Sequence, residues 1–291
     1  MQDFQTYPLT GLKVVALEQA VAAPFATCRL ADAGADVLKI ERPEGDFARG
    51  YDQAANGESS YFVWLNRGKS SLVLDLRQNV DRQKLAHEIA HADIFVQNLK
   101  PGSAAKLGFD PSTLCTKHPK LICCSISGYD DTGTFAHRKA YDLLIQAESG
   151  LAGITGGPES AARVGVSVVD IATGATAHSA ILEALIGRGI HGKGADIRIS
   201  MFDVMADWMT VPLLNHEAGK TPERLGLAHP SIAPYGVFNT KDGAQILLSI
   251  QSDREWAVLA GDVMKMPNLI GDSAFSTNVA RVQNRNLTDG H

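Results

Sequence analysis

The residues best suited to chemistry lie in Tyr141–Gly174, YDLLIQAESGLAGITGGPESAARVGVSVVDIATG. The stretch reads as a helix, a glycine-rich loop, a short apolar strand, and Asp170 at the mouth of a second helix. A carboxylate in a first helical turn has an ordinary role, accepting the turn's free amides as an N-cap. Taken alone, Asp170 fits that role. The same position has a second chemistry. The helix N-terminus would keep the carboxylate ionised. An ionised carboxylate can attack an electrophilic carbonyl and split a hard step through a covalent intermediate. Backbone amides in Gly150–Gly157 would then serve a developing oxyanion. Those glycines fit a plain loop equally well.

Other candidates are weaker. Ile171, Ala175, His178, Leu182, Leu185 and Ile186 recur at helical spacing, so His178 reads as a core histidine. Ala177, Ala180 and Ala184 form a second face, of small residues, suited to close packing. The cysteines Cys28, Cys115, Cys123 and Cys124 form no CxxC pair and have no histidine at ligand spacing. They read as buried free thiols, with no metal site expected. A net charge of −5 gives no reason to expect nucleic acid or an anionic membrane as partner. No charged leader with an apolar run and no membrane-length apolar stretch is present, so a cytoplasmic protein is expected.

The elements that position these residues alternate. Gly11–Leu17 reads as a strand, Pro24 to about Ala33 as a helix, and Ala35–Glu41 as a second strand. This compact unit implies a parallel sheet with a right-handed crossover. The turn EQAVAAPFA carries no glycine, which excludes the GxGxxG mode of dinucleotide binding there. After a polar loop, Pro43–Ser60, come the strand Ser71–Leu76, the helix Val80–His91 and the strand Asp93–Gln97. A short helix ending at Gly108 precedes the strand Lys120–Ser127. The helix after Asp170 is expected to end at Gly187–Gly189, followed by the strand Ala195–Ser200 and a long helix Met201–Ala218. The fold class is α/β.

The expected organisation is a large Rossmann-like domain over 1–218, a proline-rich linker over 219–235, and an incomplete small α+β domain over 236–291. In the last, Tyr235–Asn239 and Ala244–Ile250 flank an Asp-Gly hairpin turn. Ser252 would cap the helix Ser252–Met264.

Several long segments, in order, resemble the family III CoA-transferases, the group of formyl-CoA and carnitine CoA-transferases. They are LADAGADVLKIERPEGD (Leu30–Asp46), NRGKSSLVLDL (Asn66–Leu76), VQNLKPGSAAKLGF (Val96–Phe109), YDLLIQAESGL (Tyr141–Leu151) and VVDIATG (Val168–Gly174). ESSYFVWLNRGKSSLVLDL is similar to members acting on C4–C5 dicarboxylyl-CoA esters such as mesaconyl-, citramalyl- or succinyl-CoA. The resemblance implies that Asp170 is the nucleophile, passing through an acyl-aspartyl anhydride and an aspartyl-CoA thioester. It implies coenzyme A contacts at Ala20, Arg42, Leu74, Arg77, Asn98, Leu99, Lys100, Lys106, Lys139 and Tyr141. CoA enters as a substrate thioester, with no permanently bound cofactor, and small carboxylic acids are the other partners. An interlocked homodimer is also implied.

Three departures accompany the resemblance. Some members carry glutamine where this chain has Val21; Gln19 stands nearby. The glycine-run loop of formyl-CoA members is replaced by GLAHPSIAPYGVF, in which His229 is a candidate contact for a distal carboxylate or a plain linker residue. Family chains also continue past residue 291, so the small domain is expected to be partial and the dimer and activity are open to question. Two alternatives remain. One is an α-methylacyl-CoA racemase, which shares the fold; there a histidine precedes the aspartate matching Asp142, whereas this chain has Tyr141, and a phenol is a poor base near neutral pH. The other is a CoA-binding remnant without turnover.

Overall fold

The computed structural model describes residues 7–290. The chain forms two compact units, the first made of the described residues through Ser149 with Gly165–Thr210. In chain order its elements are β1 (Lys13–Leu17), α1 (Ala22–Asp32), β2 (Asp36–Glu41), α2 (Ser60–Asn66), β3 (Lys69–Val73) and α3 (Asn79–Ala90). Next come β4 (Ile94–Gln97), α4 (Ser103–Lys106), α5 (Pro111–Lys117), β5 (Ile122–Ser127) and α6 (Asp142–Glu148). The last are α7 (Val168–His191), β6 (Asp196–Ser200) and α8 (Met201–Trp208).

The six strands form one sheet in the order β3-β2-β1-β4-β5-β6, and every pairing is parallel. Successive side chains of a strand point to opposite faces, and the two cores show it. Val14, Ala16, Ile94, Val96, Ile122 and Cys124 pack with α1 and with Ala177 and Ile181 of α7. Val15, Leu17, Phe95 and Cys123 pack on the other face with Leu85 and Ile89 of α3 and Leu114 of α5. Helices on both faces explain the nearly unbroken apolar runs of the central strands. All four cysteines are free thiols, and three are buried.

The order reverses between β1 and β4, which places a crevice beyond their C-terminal ends. The glycine-free turn after β1 makes its sharp bend with Ala20 at φ +64°. That left-handed conformation disfavours a residue bearing Cβ, so other contacts must hold it.

Several expectations need correction. The polar loop before β3 ends in an unforeseen helix, α2, capped by Ser59. Strand β3 starts and ends two to three residues early, because its register with β2 pairs Val37–Glu41 to Lys69–Val73. No strand precedes Asp170: Val168 already opens α7. Helix α7 runs past Gly187–Gly189 to His191 and stops where Gly192 takes φ 73°. Its buried face is Val169, Ala172, Thr173, Gly174, Ala177 and Ile181, while Ala175 and Ile186 of the expected apolar face are exposed. The small residues win because α7 must approach α1 closely. A Cβ on Gly174 would sit 2.5 Å from the Ala22 carbonyl oxygen and 2.9 Å from Phe25 Cβ. Gly174→Ala is expected to lower stability by about 1–3 kcal/mol through overpacking. The gain in helix propensity of about 1 kcal/mol offsets only part of this. Urea unfolding checks it: an unchanged or raised midpoint counts against the close approach.

The second unit comprises Gly150–Val164 and the described residues from Val211. The glycine-rich segment thus groups with this unit, whereas sequence places it within 1–218. It forms the short helix Leu151–Ile154 and a hairpin pairing Gly156–Gly157 with Ser160–Ala161. The Arg224 guanidinium donates to the carbonyls of Gly153, Gly157 and Pro158, at 3.1, 3.2 and 3.3 Å. The long helix expected over Met201–Ala218 is broken into α8 and Thr210–Glu217. Pro212 has no N–H for the carbonyl four residues back, and its ring crowds that carbonyl. The Asp-Gly hairpin forms between Tyr235–Asn239 and Gln245–Ser249. Ser252 and Glu255 make a reciprocal capping box on the helix Asp253–Val258. His229 stacks on Tyr235 with ring centroids 5.2 Å apart, and its Nδ1 accepts from the Ser231 amide at 3.0 Å.

Candidate active site

Asp170 sits in the first turn of α7, half-buried beside the turn that follows β1. Its neighbour Ile171 packs against the buried cluster of Val21, Phe25 and Leu65, which Ala20 and Tyr61 also border. Asp170 does not cap its own helix. The α7 amides of Val169 and Asp170 donate instead to Oδ1 of Asp142, at 2.8 and 3.3 Å. Asp142 lies at the start of α6, and its Oδ2 accepts from Gln146 Nε2 at 2.6 Å.

This reverses the expected electrostatics. The helix amides that would have kept Asp170 ionised are taken by another carboxylate. Burial, and then the Asp142 charge, push the Asp170 carboxyl up to about 7. Such a group is half protonated near neutral pH, an unusual state for an aspartate and one that active sites favour.

Aromatic residues from the loop before α2 and from α2 itself stand next to it. The Tyr61 hydroxyl lies 3.2 Å from Ser167 Oγ, at the N-cap position of α7. Tyr51 meets Tyr61 edge-on at 5.7 Å, and Phe47 meets Tyr51 at 5.9 Å. Burial pushes the Tyr51 phenol up to about 12, with the Asp170 charge adding to it. Tyr51 therefore stays protonated and can donate.

The sequence-derived coenzyme positions divide. Arg42, Leu74, Arg77 and Leu99 come together, with Glu18, Gln19 and Asp46, around a cavity of about 370 Å³. It opens at the C-terminal ends of β1, β2 and β3. Arg42 is anchored by donating Nε to the Gly45 carbonyl at 2.9 Å, and Arg77 pairs with Asp75 at 2.8 Å. Asn98 plays a positioning part. Its Oδ1 accepts from the Gln19 amide at 3.0 Å and its Nδ2 donates to the Gln19 carbonyl at 2.8 Å. Ala20 donates its amide to Asp46 Oδ1 at 3.1 Å. Lys100 lines a separate cavity of about 460 Å³ with Ser125, Ser127, Asp131 and Arg198. Lys106 and Lys139 are exposed and line neither cavity. Tyr141 is 64% exposed and lies within electrostatic reach of Tyr51.

Glu41 forms the floor between Asp46 and β3. It accepts two bonds from Arg49, at 2.8 and 2.9 Å, one from Ser71 Oγ at 2.6 Å and one from the Asp46 amide at 3.0 Å. The Arg49 hydrogen bonds, helped by Ser71 and the Asp46 amide against burial, hold its carboxyl down at about 2. A depressed folded-state pKa adds stability above the unfolded-state value near 4.5, and loses it as pH falls through about 2. Glu41→Gln should therefore lower unfolding stability at pH 7 by roughly 2 kcal/mol, discounted for the half-exposed Arg49. The gap between variant and wild type should close between pH 4.5 and pH 2. A gap constant over that range counts against the assignment.

Asp142, Asp46, Tyr51, Tyr61 and Ser167 were not legible as site residues. Asp142 looks like an ordinary first-turn acid of its own helix, and nothing in the sequence shows that it reaches a second helix.

The fold and this site define a doubly wound α/β protein with a high-pKa carboxylate beside its topological switch point. The chain belongs to CoA-transferase family III, whose family model matches residues 9–290. It is 38% identical over 283 residues to the succinyl-CoA:glutarate CoA-transferase of Mus musculus, covering 96% of this chain and 64% of that protein. It is 37% identical over 288 residues to the succinate–glutarate CoA-transferase of Agrobacterium fabrum, covering 96% of this chain and 72% of that one. A crystal structure of a CAIB/BAIF family protein from Brucella suis superposes with a TM-score of 0.80 at 39% identity, covering 98% of this chain and 77% of that one. The chain thus spans a little under two thirds of the mouse relative's length.

Proposed function

We propose that this protein transfers coenzyme A from an acyl-CoA thioester to a free carboxylate, with short dicarboxylates as the acids exchanged. The observation that carries the proposal is Asp170 itself. It is a half-buried carboxylate with a raised pKa, beside the same β1 turn that borders the Arg42 and Arg77 cavity. The family supports the activity, and the relatives named for succinyl-CoA and glutarate support the substrate class.

Transferring a thioester between two carboxylates is nearly thermoneutral, so the protein's task is kinetic. Asp170 Oδ attacks the acyl carbonyl and CoA thiolate leaves, giving a mixed anhydride. The thiolate attacks the Asp170 carbonyl of that anhydride, releasing the first free acid and leaving an aspartyl-CoA thioester. The acceptor carboxylate attacks this thioester and expels thiolate again. The thiolate finally attacks the acceptor's carbonyl, giving the new acyl-CoA and free Asp170. The Tyr51 and Tyr61 hydroxyls are the nearby donors in this unit for charge developing on the acyl oxygen. Arg42 and Arg77 suit the phosphates of the coenzyme, and Leu74 and Leu99 its apolar surface.

Exchange between succinyl-CoA and glutarate is the first test, followed by chromatography of the CoA esters. Hydroxylamine added during turnover should leave a hydroxamate on Asp170. Deuterium entering the α-carbon of a branched acyl-CoA, with no exchange of acids, would replace this proposal with racemisation. A homodimer, which the family resemblance implies, is part of the proposal, and sedimentation of the purified protein checks it.

A further inference from the structure

Beneath the β1 turn lie four charged side chains that the chemistry above does not use. Glu18, Lys39, Asp46 and Lys69 each have side chains no more than 1% exposed. Lys39 Nζ is 2.9 Å from Asp46 Oδ2 and 3.6 Å from Glu18 Oε1, and Lys69 Nζ is 2.7 Å from Glu18 Oε1. Thr27 Oγ1 donates to Glu18 Oε2 at 2.6 Å, and Lys69 also reaches the Pro24 carbonyl at 3.0 Å. Burial pushes Glu18 up, but Lys69 and Lys39 outweigh it and hold the carboxyl below its ordinary value.

A buried ion network is a poor route to stability, because desolvation consumes most of its Coulombic gain. Its geometry indicates another use. Asp46 Oδ2 is held by Lys39, while Oδ1 accepts from the amides of Ala20 and Ala48, at 3.1 and 3.0 Å. Ala20 is the non-glycine residue held at φ +64° in the turn beside Asp170. The neighbouring Glu18 and Gln19 border the 370 Å³ cavity.

We propose that Asp46, aimed by Lys39, is a positioning residue that holds Ala20 in its left-handed conformation, so that the Glu18–Val21 turn keeps the shape that the substrate meets. The ion network replaces the glycine that a sharp turn between strand and helix ordinarily uses. This rests on the transferase proposal for its kinetic readout only.

The test uses the full chain, as Asp46→Ala, Ala20→Gly and the double variant. Glycine adopts the left-handed region without a tether. Asp46→Ala should lower kcat for succinyl-CoA and glutarate about 30-fold or more, and adding Ala20→Gly should recover about 10-fold of it. A residue that only supports the fold predicts no such recovery, because the lost network is the same in both variants. The second readout needs no substrate: exchange of the Ala20 amide, followed by NMR, should speed up at least 10-fold in Asp46→Ala. Unchanged Ala20 exchange overturns the inference whatever the activity. With transfer present in wild type, so does a double variant no better than Asp46→Ala. Faster Ala20 exchange in a protein whose wild type transfers nothing leaves the tether standing and removes the transferase proposal instead.

Discussion

Asp170→Asn is expected to reduce CoA transfer by at least about 10³-fold, the scale on which loss of a covalent nucleophile is felt. Binding of free CoA should change little, because the cavity lined by Arg42, Leu74, Arg77 and Leu99 does not include Asp170. The same substitution should make the protein more stable at pH 8. The folded-state pKa of Asp170 is raised from 3.8 to about 7, so the fold favours the neutral acid. Stability from this group is therefore fully present below pH 3.8 and is lost as pH rises through about 7. At pH 8 the ionised side chain opposes folding by up to about 4 kcal/mol, less whatever solvent reaches the half-buried group. Asparagine is neutral and escapes this penalty. A variant that is inactive yet melts higher at pH 8, with no gain at pH 4, has lost a nucleophile rather than its fold. A variant that keeps transferring CoA would falsify the nucleophile assignment.

The second large effect is on the pH dependence. A carboxylate must be ionised to attack, so kcat/KM should rise with pH and level off above an inflection near 7. Asp142 faces Asp170 from α6 and takes the α7 amides, Tyr51 lies within electrostatic reach of Asp170, and Tyr61 contacts Ser167 at the start of α7. Of these, Asp142 is the group whose charge raises Asp170. Asp142→Asn keeps an oxygen for the Val169 and Asp170 amides but removes the charge that adds to Asp170's upward shift. The inflection should fall by about one unit. Activity at pH 6, relative to the plateau, should rise several-fold. A profile that does not move means that Asp142 acts on α7 through its hydrogen bonds alone. Thermal melts at pH 6 and pH 8 separate the charge effect from loss of the helix cap.

Much of this protein is legible in its residues. The alternation of apolar runs with amphipathic stretches is enough for a parallel α/β sheet, because strands buried on both faces must be apolar throughout. The absence of glycine from EQAVAAPFA excludes one way of holding pyrophosphate, and Ala20 now occupies the bend. Five segments in order between Leu30 and Gly174, the last of them carrying Asp170, are together enough to mark the family. Boundaries set by a partner were less legible. Helix α2 is only seven residues long, and its unbroken apolar run Tyr61–Leu65 shows no helical period; the register of β3 depends on β2. The face that α7 buries also depends on a neighbour: the larger apolar residues would make the better hydrophobic stripe, but α1 approaches too closely for them at Gly174.

The electrostatics of the site belong to the tertiary structure alone. Sequence places Asp170 in the first turn of a helix, where local physics gives an ionised cap. Asp142 is 28 residues away in the chain, yet it supplies the cap and a negative charge. Burial of Asp170, with the Asp142 charge added to it, turns a low-pKa aspartate into one poised near 7. The Asp142 charge comes from the folding of α6 against the start of α7, which no local pattern records. Likewise Asp46 lies in a polar loop and Lys39 in a strand, and only the packed sheet buries them as a pair beneath the turn after β1. Residue types and spacing set what chemistry Asp170 can do, because they fix its functional group and its place in a helix. Charge and solvent at that group are summed over neighbours from other elements, so only the folded chain decides the pH at which it acts.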